Sequence, residues 1–385
     1  MTNRADPPRT ILSGAAIFDG TTLRSGHALV IEGGRIVAIL PEGAVPEGAR
    51  IILPGGTLAP GFIDLQVNGG GGLMVDGSTD VAALRAICAA HIGLGATGIL
   101  PTLITDTPEA TASVIAAGIA ATAAQVPGFL GLHLEGPHLD PRRKGAHDPA
   151  LIRRMEPADL ARLCDAARAL PALIVTVSPA SVTPEQIATL TAAGAIVSIG
   201  HSEATEAEAR GAFLAGARCV THLFNAMSQL GNREPGLVGA TLDSAVAAGL
   251  IADGLHVAPS TLRVALTARP GGLFLVSDAM AVAGTDLTEF TLGNRRILRK
   301  DGRLVLEDGT LAGADLSLPR AVQVLIQSVG AAPERALAMA STIPAQLIGA
   351  ASRLGSLSIG AEADLVHFDQ DWTLTGVWKG GAKFR

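Results

Sequence analysis

Between residues 59 and 350 the chain repeats one grammar. A short apolar run ends in a polar or charged residue, and a helical pattern of roughly 12–20 residues follows. The polar ends fall at Asp64/Gln66, Thr102, His133/Glu135, Ser178, His201, His222, His256 and Asp278. That makes eight strand ends, the number a (β/α)₈ TIM barrel requires. Helix starts are well marked, since Thr107-Pro108-Glu109 and Thr183-Pro184-Glu185 each supply an N-cap, a proline at the first helical position and an early acid. A doubly wound sheet would need fewer strands and a phosphate loop opening a helix. The run Gly69–Gly72 does not have the GxGxxG spacing, and a turn-like Val75-Asp76-Gly77-Ser78 follows it.

Both chain ends have a different texture. Residues 10–58 read as short strands broken by turns, with Glu32-Gly33-Gly34 as a hairpin signal, and the C-terminal stretch reads the same way. The expectation is a small β-sandwich domain built jointly from residues 1–58 and 351–385, interrupted by the barrel at 59–350. After the eighth strand, residues 286–313 read as a β-hairpin insertion turning at Lys300-Asp301-Gly302. Helical segments around 315–329 and 333–341 lead back to the terminal strands.

Composition narrows the function classes. Apolar residues make up 48% and charged residues 17%, which excludes disorder. A mean hydropathy of +0.39 raises the question of a membrane span. The most apolar stretch, 112–124, is rich in Ala and runs into Gln125 and Pro127, so it reads as a buried helix. A net charge of −6 without a Lys/Arg cluster argues against nucleic acid and anionic membrane as partners. The opening MTNRADPPRT has no apolar leader, and Cys88, Cys164 and Cys219 form no CxxC. These features predict a soluble cytoplasmic protein.

Barrel active sites lie at the C-terminal strand ends. Of the nine histidines, His133, His201, His222 and His256 end predicted strands, and His138 and His147 lie in the loop after the third. His27, His91 and His367 read as structural. Zn²⁺ takes imidazole nitrogen and carboxylate oxygen, and a catalytic site uses three protein ligands with one position left for water. Glu135, His201 and His222 meet that count, with Asp278 free to take a proton. On placement alone, a structural polar cluster is the competing reading.

Longer segments carry more. PGFIDLQVNGGGG (60–72), GLHLEGPHL (131–139), KGAH (144–147), GHSEAT (200–205), THLFNAM (221–227), NREPGLVGA (232–240), DGLHV (253–257), VSDAM (276–280) and GTLAG (309–313) span nearly the whole chain. With these motifs the sequence resembles the amidohydrolase superfamily, and within it the N-acetylglucosamine-6-phosphate deacetylase family. The resemblance implies hydrolysis of the N-acetyl group of a phosphorylated amino sugar in amino-sugar catabolism. It implies Glu135, His201 and His222 as metal ligands, Asp278 as general base and acid, and His147 as the group that polarises the carbonyl. It implies substrate contacts at Gln66, Asn68, His138, Ala146, Asn225, Ala226, His256, Leu311, Ala312 and Gly313. Arg233 is implied to reach the phosphate in the neighbouring subunit of a homodimer. Its planar fork suits anionic oxygens.

Many superfamily members carry HxH on the first strand and a carbamylated lysine on the fourth, which together hold two metals. Here the first strand reads Gln66-Val67-Asn68, and none of the four lysines, Lys144, Lys300, Lys379 and Lys383, lies on a barrel strand. The expectation is one divalent ion, Zn²⁺ foremost, with Fe²⁺, Co²⁺ or Mn²⁺ accepted by the same ligands. One departure from the pattern is Ala180, in TVSPA, where relatives carry Glu. The alternatives are another mononuclear amidohydrolase (a deacylase or deaminase) and a non-enzymatic scaffold of the same fold.

Overall fold

The computed structural model describes residues 9–293 and 295–385; residues 1–8 of the predicted terminal module lie outside it. Eight parallel strands succeed one another in chain order: β1 (Phe62–Val67), β2 (Ala96–Ile104), β3 (Leu132–Glu135), β4 (Leu173–Val177), β5 (Ile196–Ile199), β6 (Cys219–Val220), β7 (Ala247–Leu250) and β8 (Leu273–Leu275). The ring is nearly closed by a bridge from Val67 of β1 to Ala279, in the segment that follows β8. The Asp278 N–H donates to Gln66 O at 3.0 Å, and the Ser277 N–H donates to the Asp64 carboxylate. The barrel expectation holds.

Helices cover the outside, and they begin where the caps say. Thr107 and Thr183 accept from the N–H groups of Ala110 and Gln186, opening the helices Pro108–Ala123 and Pro184–Ala192. The apolar stretch at 112–124 lies in the first of these, which buries Val114, Ile115 and Ala121 against the barrel. Among the described residues no helix is long and apolar enough to cross a membrane.

The two chain ends build sheets together. A six-stranded sheet runs Ala382–Lys383, Leu374–Lys379, Leu365–Phe368, Thr57–Pro60, Ala16–Phe18, Leu23–Arg24, so three C-terminal strands continue into three N-terminal ones. A four-stranded sheet from residues 9–52 joins it in one core, where Leu12, Leu29 and Ile36 meet Ile17, Leu58 and Leu365. Thr57–Pro60 passes through Gly61 directly into β1. Gly61 has no room for a side chain, because a Cβ there would sit 2.1 Å from Thr97 Oγ1.

Three expectations need correction. Thr102 is not a strand end, because β2 runs on to Ile104. His256 lies six residues beyond Leu250, in a loop. The insertion is not a hairpin: Glu289–Leu292, Arg295–Lys300, Arg303–Val305 and Leu311–Ala314 form a four-stranded antiparallel sheet. Its apolar face, with Leu292, Ile297 and Leu304, packs on Met280 and Val282 at the mouth of the barrel.

Candidate metal centre and active site

β3 ends on Glu135, and the turns after β5 and β6 present His201 and His222. His201 Nε2 and His222 Nε2 stand 3.1 Å apart, and Glu135 Oε1 lies 3.2 Å from the first and 3.0 Å from the second. Ligands around a tetrahedral ion at about 2.0–2.1 Å stand about 3.3 Å from one another, so these three atoms already have that spacing. His201 donates its Nδ1–H to Arg143 O at 2.8 Å, which leaves Nε2 as a lone pair aimed at the cluster. Three converging acceptors require positive charge between them. Burial would lower His222, but the hydrogen bond and charge of Glu135 raise it above the ordinary histidine value. Burial would raise Glu135, but the hydrogen bonds from His201 and His222 outweigh it and hold the carboxyl well below its usual range. The donor set fits one divalent cation.

His147 is also close, since one ligand atom each from Glu135, His147 and His201 falls within 4.8 Å of the others. Its ring packs edge-on against His201, with centroids 4.3 Å apart. The Thr105 N–H donates to its Nδ1, so the ring hydrogen sits on Nε2. Burial, with His201 nearby, pushes its pKa down to about 3. With Nδ1 accepting from Thr105, His147 is placed to present an Nε2–H toward the cluster.

Asp278 follows β8. Its Oδ1 accepts from Asn68 Nδ2 at 2.7 Å and from Gln66 Nε2 at 3.2 Å. Gln66 Nε2 lies 3.2 Å from both oxygens of Glu135 as well, so one carboxamide ties Glu135 to Asp278. Burial, reinforced by Glu135, raises Asp278 to about 6. His201, His222 and Asp278 all have positive φ (44°, 28° and 51°), as does Ala226 at 50°. Backbone strain of this kind persists where the surrounding structure fixes a functional geometry.

These groups line a cavity of about 460 Å³. Asn68, Ala146, Asn225, Ala226, His256, Leu311 and Gly313 line it, as the sequence anticipates. His256 is oriented by Asp253, whose Oδ2 lies 2.6 Å from its Nδ1. Gly313 must be glycine, because at φ +69° a Cβ would meet Met280 Cγ at 2.6 Å.

Other candidates fall elsewhere. Gln66 does not line the cavity; its amide is spent on Glu135 and Asp278. His138 does not reach the cavity: its Nδ1 donates to Arg153 O and its Nε2 faces Asp159, outside the β3 end. Ala312 is buried in the apolar core of the insertion. His133 points into the barrel, where Thr176 Oγ1 and Leu65 O hold it and burial lowers it to about 4. Arg233 is exposed, outside its own chain's cavity. Ala180 is an exposed turn residue off the cavity. Sequence reasoning missed Arg142, Arg143 and Lys144 at the cavity wall, although they form a run of three cations overlapping the start of the KGAH segment. Arg142 pairs with Asp140 and Arg143 with Glu203.

The amidohydrolase family model matches residues 57–383. An N-acetylgalactosamine-6-phosphate deacetylase of Shewanella sp. is 40% identical over 86% of this chain and 83% of its own length. An N-acetylglucosamine-6-phosphate deacetylase of Haemophilus influenzae is 35% identical over 91% of this chain and 92% of its own. The crystal structure of the N-acetylglucosamine-6-phosphate deacetylase from Pasteurella multocida superposes with a TM-score of 0.94 at 35% identity, covering 97% of this chain and 99% of that one. This chain belongs to the amidohydrolase family, in the group of the N-acetylglucosamine-6-phosphate deacetylases.

Proposed function

We propose that the protein hydrolyses N-acetylglucosamine 6-phosphate to glucosamine 6-phosphate and acetate in the cytoplasm, as a homodimer with one Zn²⁺ per chain. The observation that carries this reading is the convergence of Glu135 Oε1, His201 Nε2 and His222 Nε2 beside a raised Asp278 and a neutral His147. A bound divalent cation supplies an acidified water and Lewis-acid polarisation of the amide carbonyl. Asp278 keeps Oδ1 engaged with Asn68 and Gln66, so Oδ2 is available to take the proton of the attacking water. His147 Nε2–H donates to the carbonyl oxygen as negative charge builds on it. Protonated Asp278 then gives its proton to the departing amine, which is too basic to leave as an anion. Asn68 Oδ1, buried at the cavity edge without a partner, accepts from the amide N–H and holds the nitrogen beside Asp278.

The test is acetate release from the 6-phosphates of N-acetylglucosamine and N-acetylgalactosamine, and from the free sugars. The expected order places N-acetylglucosamine 6-phosphate first. The relative that shares 40% identity and carries the galactosamine name makes the C4 epimer the second reading. A preference for that epimer would establish it, and turnover of neither phosphate would overturn both.

The pH profile follows from Asp278. The base form must be ionised, so kcat/KM rises with pH through the carboxyl's pKa. Burial raises that value to about 6, and a nearby cation can only draw it down. The acid limb is expected at about 6 or below, and a limb above pH 7 would remove Asp278 as the base.

Arg233 supports the shared-site dimer because it is exposed and lies outside its own cavity, in a loop that in this family reaches the neighbouring substrate's phosphate. Arg233→Ala is expected to raise KM for the phosphorylated sugar by roughly tenfold or more and to leave turnover of the free sugar unchanged. Refolding Arg233→Ala chains together with Asp278→Asn chains should restore activity at low substrate, since one site of the mixed dimer is then complete. Mixed dimers that restore nothing place Arg233 in its own chain's site or off the phosphate.

A further inference from the structure

The wall of the catalytic cavity is chemically mixed. Arg142, Arg143 and Lys144 contribute cations to it, whereas Ile104, Met280 and Leu292, with Ala146, belong to the apolar cluster of the insertion sheet. Ile104 ends β2 directly opposite Glu135 in the neighbouring strand, so the apolar part adjoins the metal ligands. Behind Ile104 and Leu292 lies a second cavity of about 580 Å³, and these two side chains line both spaces. Met74, Val75 and Leu151 continue its apolar lining. Asp76, Asp106 and Asp148 also line it, with Arg295 as its one cationic side chain among the described residues. Arg295 is engaged, donating to Ala146 O at 2.6 Å.

The geometry points to Ile104 and Leu292 as the partition that sets the length of the N-acyl group, with the second cavity as latent room for longer acyl chains. The inference rests on the deacetylase reading above. An amide whose carbonyl carbon lies between Asp278, His147 and the metal ligands has two substituents to place. The phosphorylated sugar is anionic and belongs with the cations; the three carboxylates of the second cavity repel it. The methyl of the acyl group is left for the apolar part, where Ile104 and Leu292 stop it. A longer acyl chain meets those side chains before it reaches the free volume behind them. Each buried methylene favours binding by about fourfold once room exists, so opening the partition converts exclusion into gain.

The experiment compares kcat/KM for N-acetyl-, N-propionyl- and N-butyrylglucosamine 6-phosphate in the wild-type holoenzyme and in Ile104→Ala, Leu292→Ala and the double variant. Leu292 lies in the insertion sheet, outside the barrel core, so its variant keeps the scaffold even if loss of Ile104 weakens β2. The butyryl-to-acetyl ratio is expected to rise at least tenfold in Leu292→Ala and further in the double variant. Ile251→Ala, which removes similar volume from another part of the cavity lining, is expected to leave the ratio within twofold. An unchanged ratio in Leu292→Ala and the double variant, or an equal rise in Ile251→Ala, overturns the partition. Failure of the deacetylase reading looks different, because the wild-type enzyme would then not turn over even the acetyl substrate.

Discussion

Asp278→Asn is expected to fold, to bind its metal and to lose 10²- to 10⁴-fold in turnover, the range of a removed general base. Asparagine preserves the shape and can still accept from Asn68 Nδ2 and Gln66 Nε2 through its own oxygen, so the position is retained. It can neither take the proton of the attacking water nor return one to the amine. Because a raised buried carboxyl is also costly when ionised, the substitution removes an unfavourable charge and should not lower the melting temperature. Stopped assays with metal content measured on the same sample check both halves. A variant keeping more than about a tenth of wild-type turnover moves proton transfer to another group.

Glu135→Gln is expected to lose the metal and with it turnover, by on the order of 10³-fold or more, while the fold survives. The distinction lies in what the amide can do. Its NH₂ can donate to the lone pairs at His201 Nε2 and His222 Nε2, which now stand 3.2 and 3.0 Å from the carboxylate oxygen. The glutamine thus satisfies the two histidines without a cation and competes with one. Elemental analysis should give one metal per wild-type chain and close to none in the variant. Two ions per wild-type chain would show that Gln66 and Asn68 do not bar a second site, as their neutral carboxamides predict.

The barrel and the candidate metal cluster were legible because both leave one-dimensional marks. A strand that ends on a metal ligand shows an apolar run followed by a single charged or imidazole side chain, and that pattern repeats around the ring. Direction within a loop leaves no such mark. His138 and His147 lie nine residues apart in the same connection, and only folding turns one toward Arg153 and Asp159 and the other toward Thr105. His256 was misplaced because the residues between Leu250 and His256 continue the apolar run as Ile251-Ala252 before Asp253 turns the chain. The insertion was read one pair of strands short because Leu311–Ala314, taken as a substrate loop, also pairs with Arg303–Val305. The partition between the two cavities joins β2 to a strand nearly two hundred residues later, a proximity that no local pattern encodes.

The strand Thr57–Pro60 lies between Ala16–Phe18, made earlier, and Leu365–Phe368, made more than 300 residues later. On the ribosome, at about 5–20 residues per second, that interval lasts roughly 15–60 s. Through all of it Thr57–Pro60 presents an unpaired edge, attached without a linker to the first barrel strand. A nascent chain halted in this window should be a preferred client for strand-capping chaperones, and a release factor or stop codon placed before residue 365 would leave that edge permanently open to other chains.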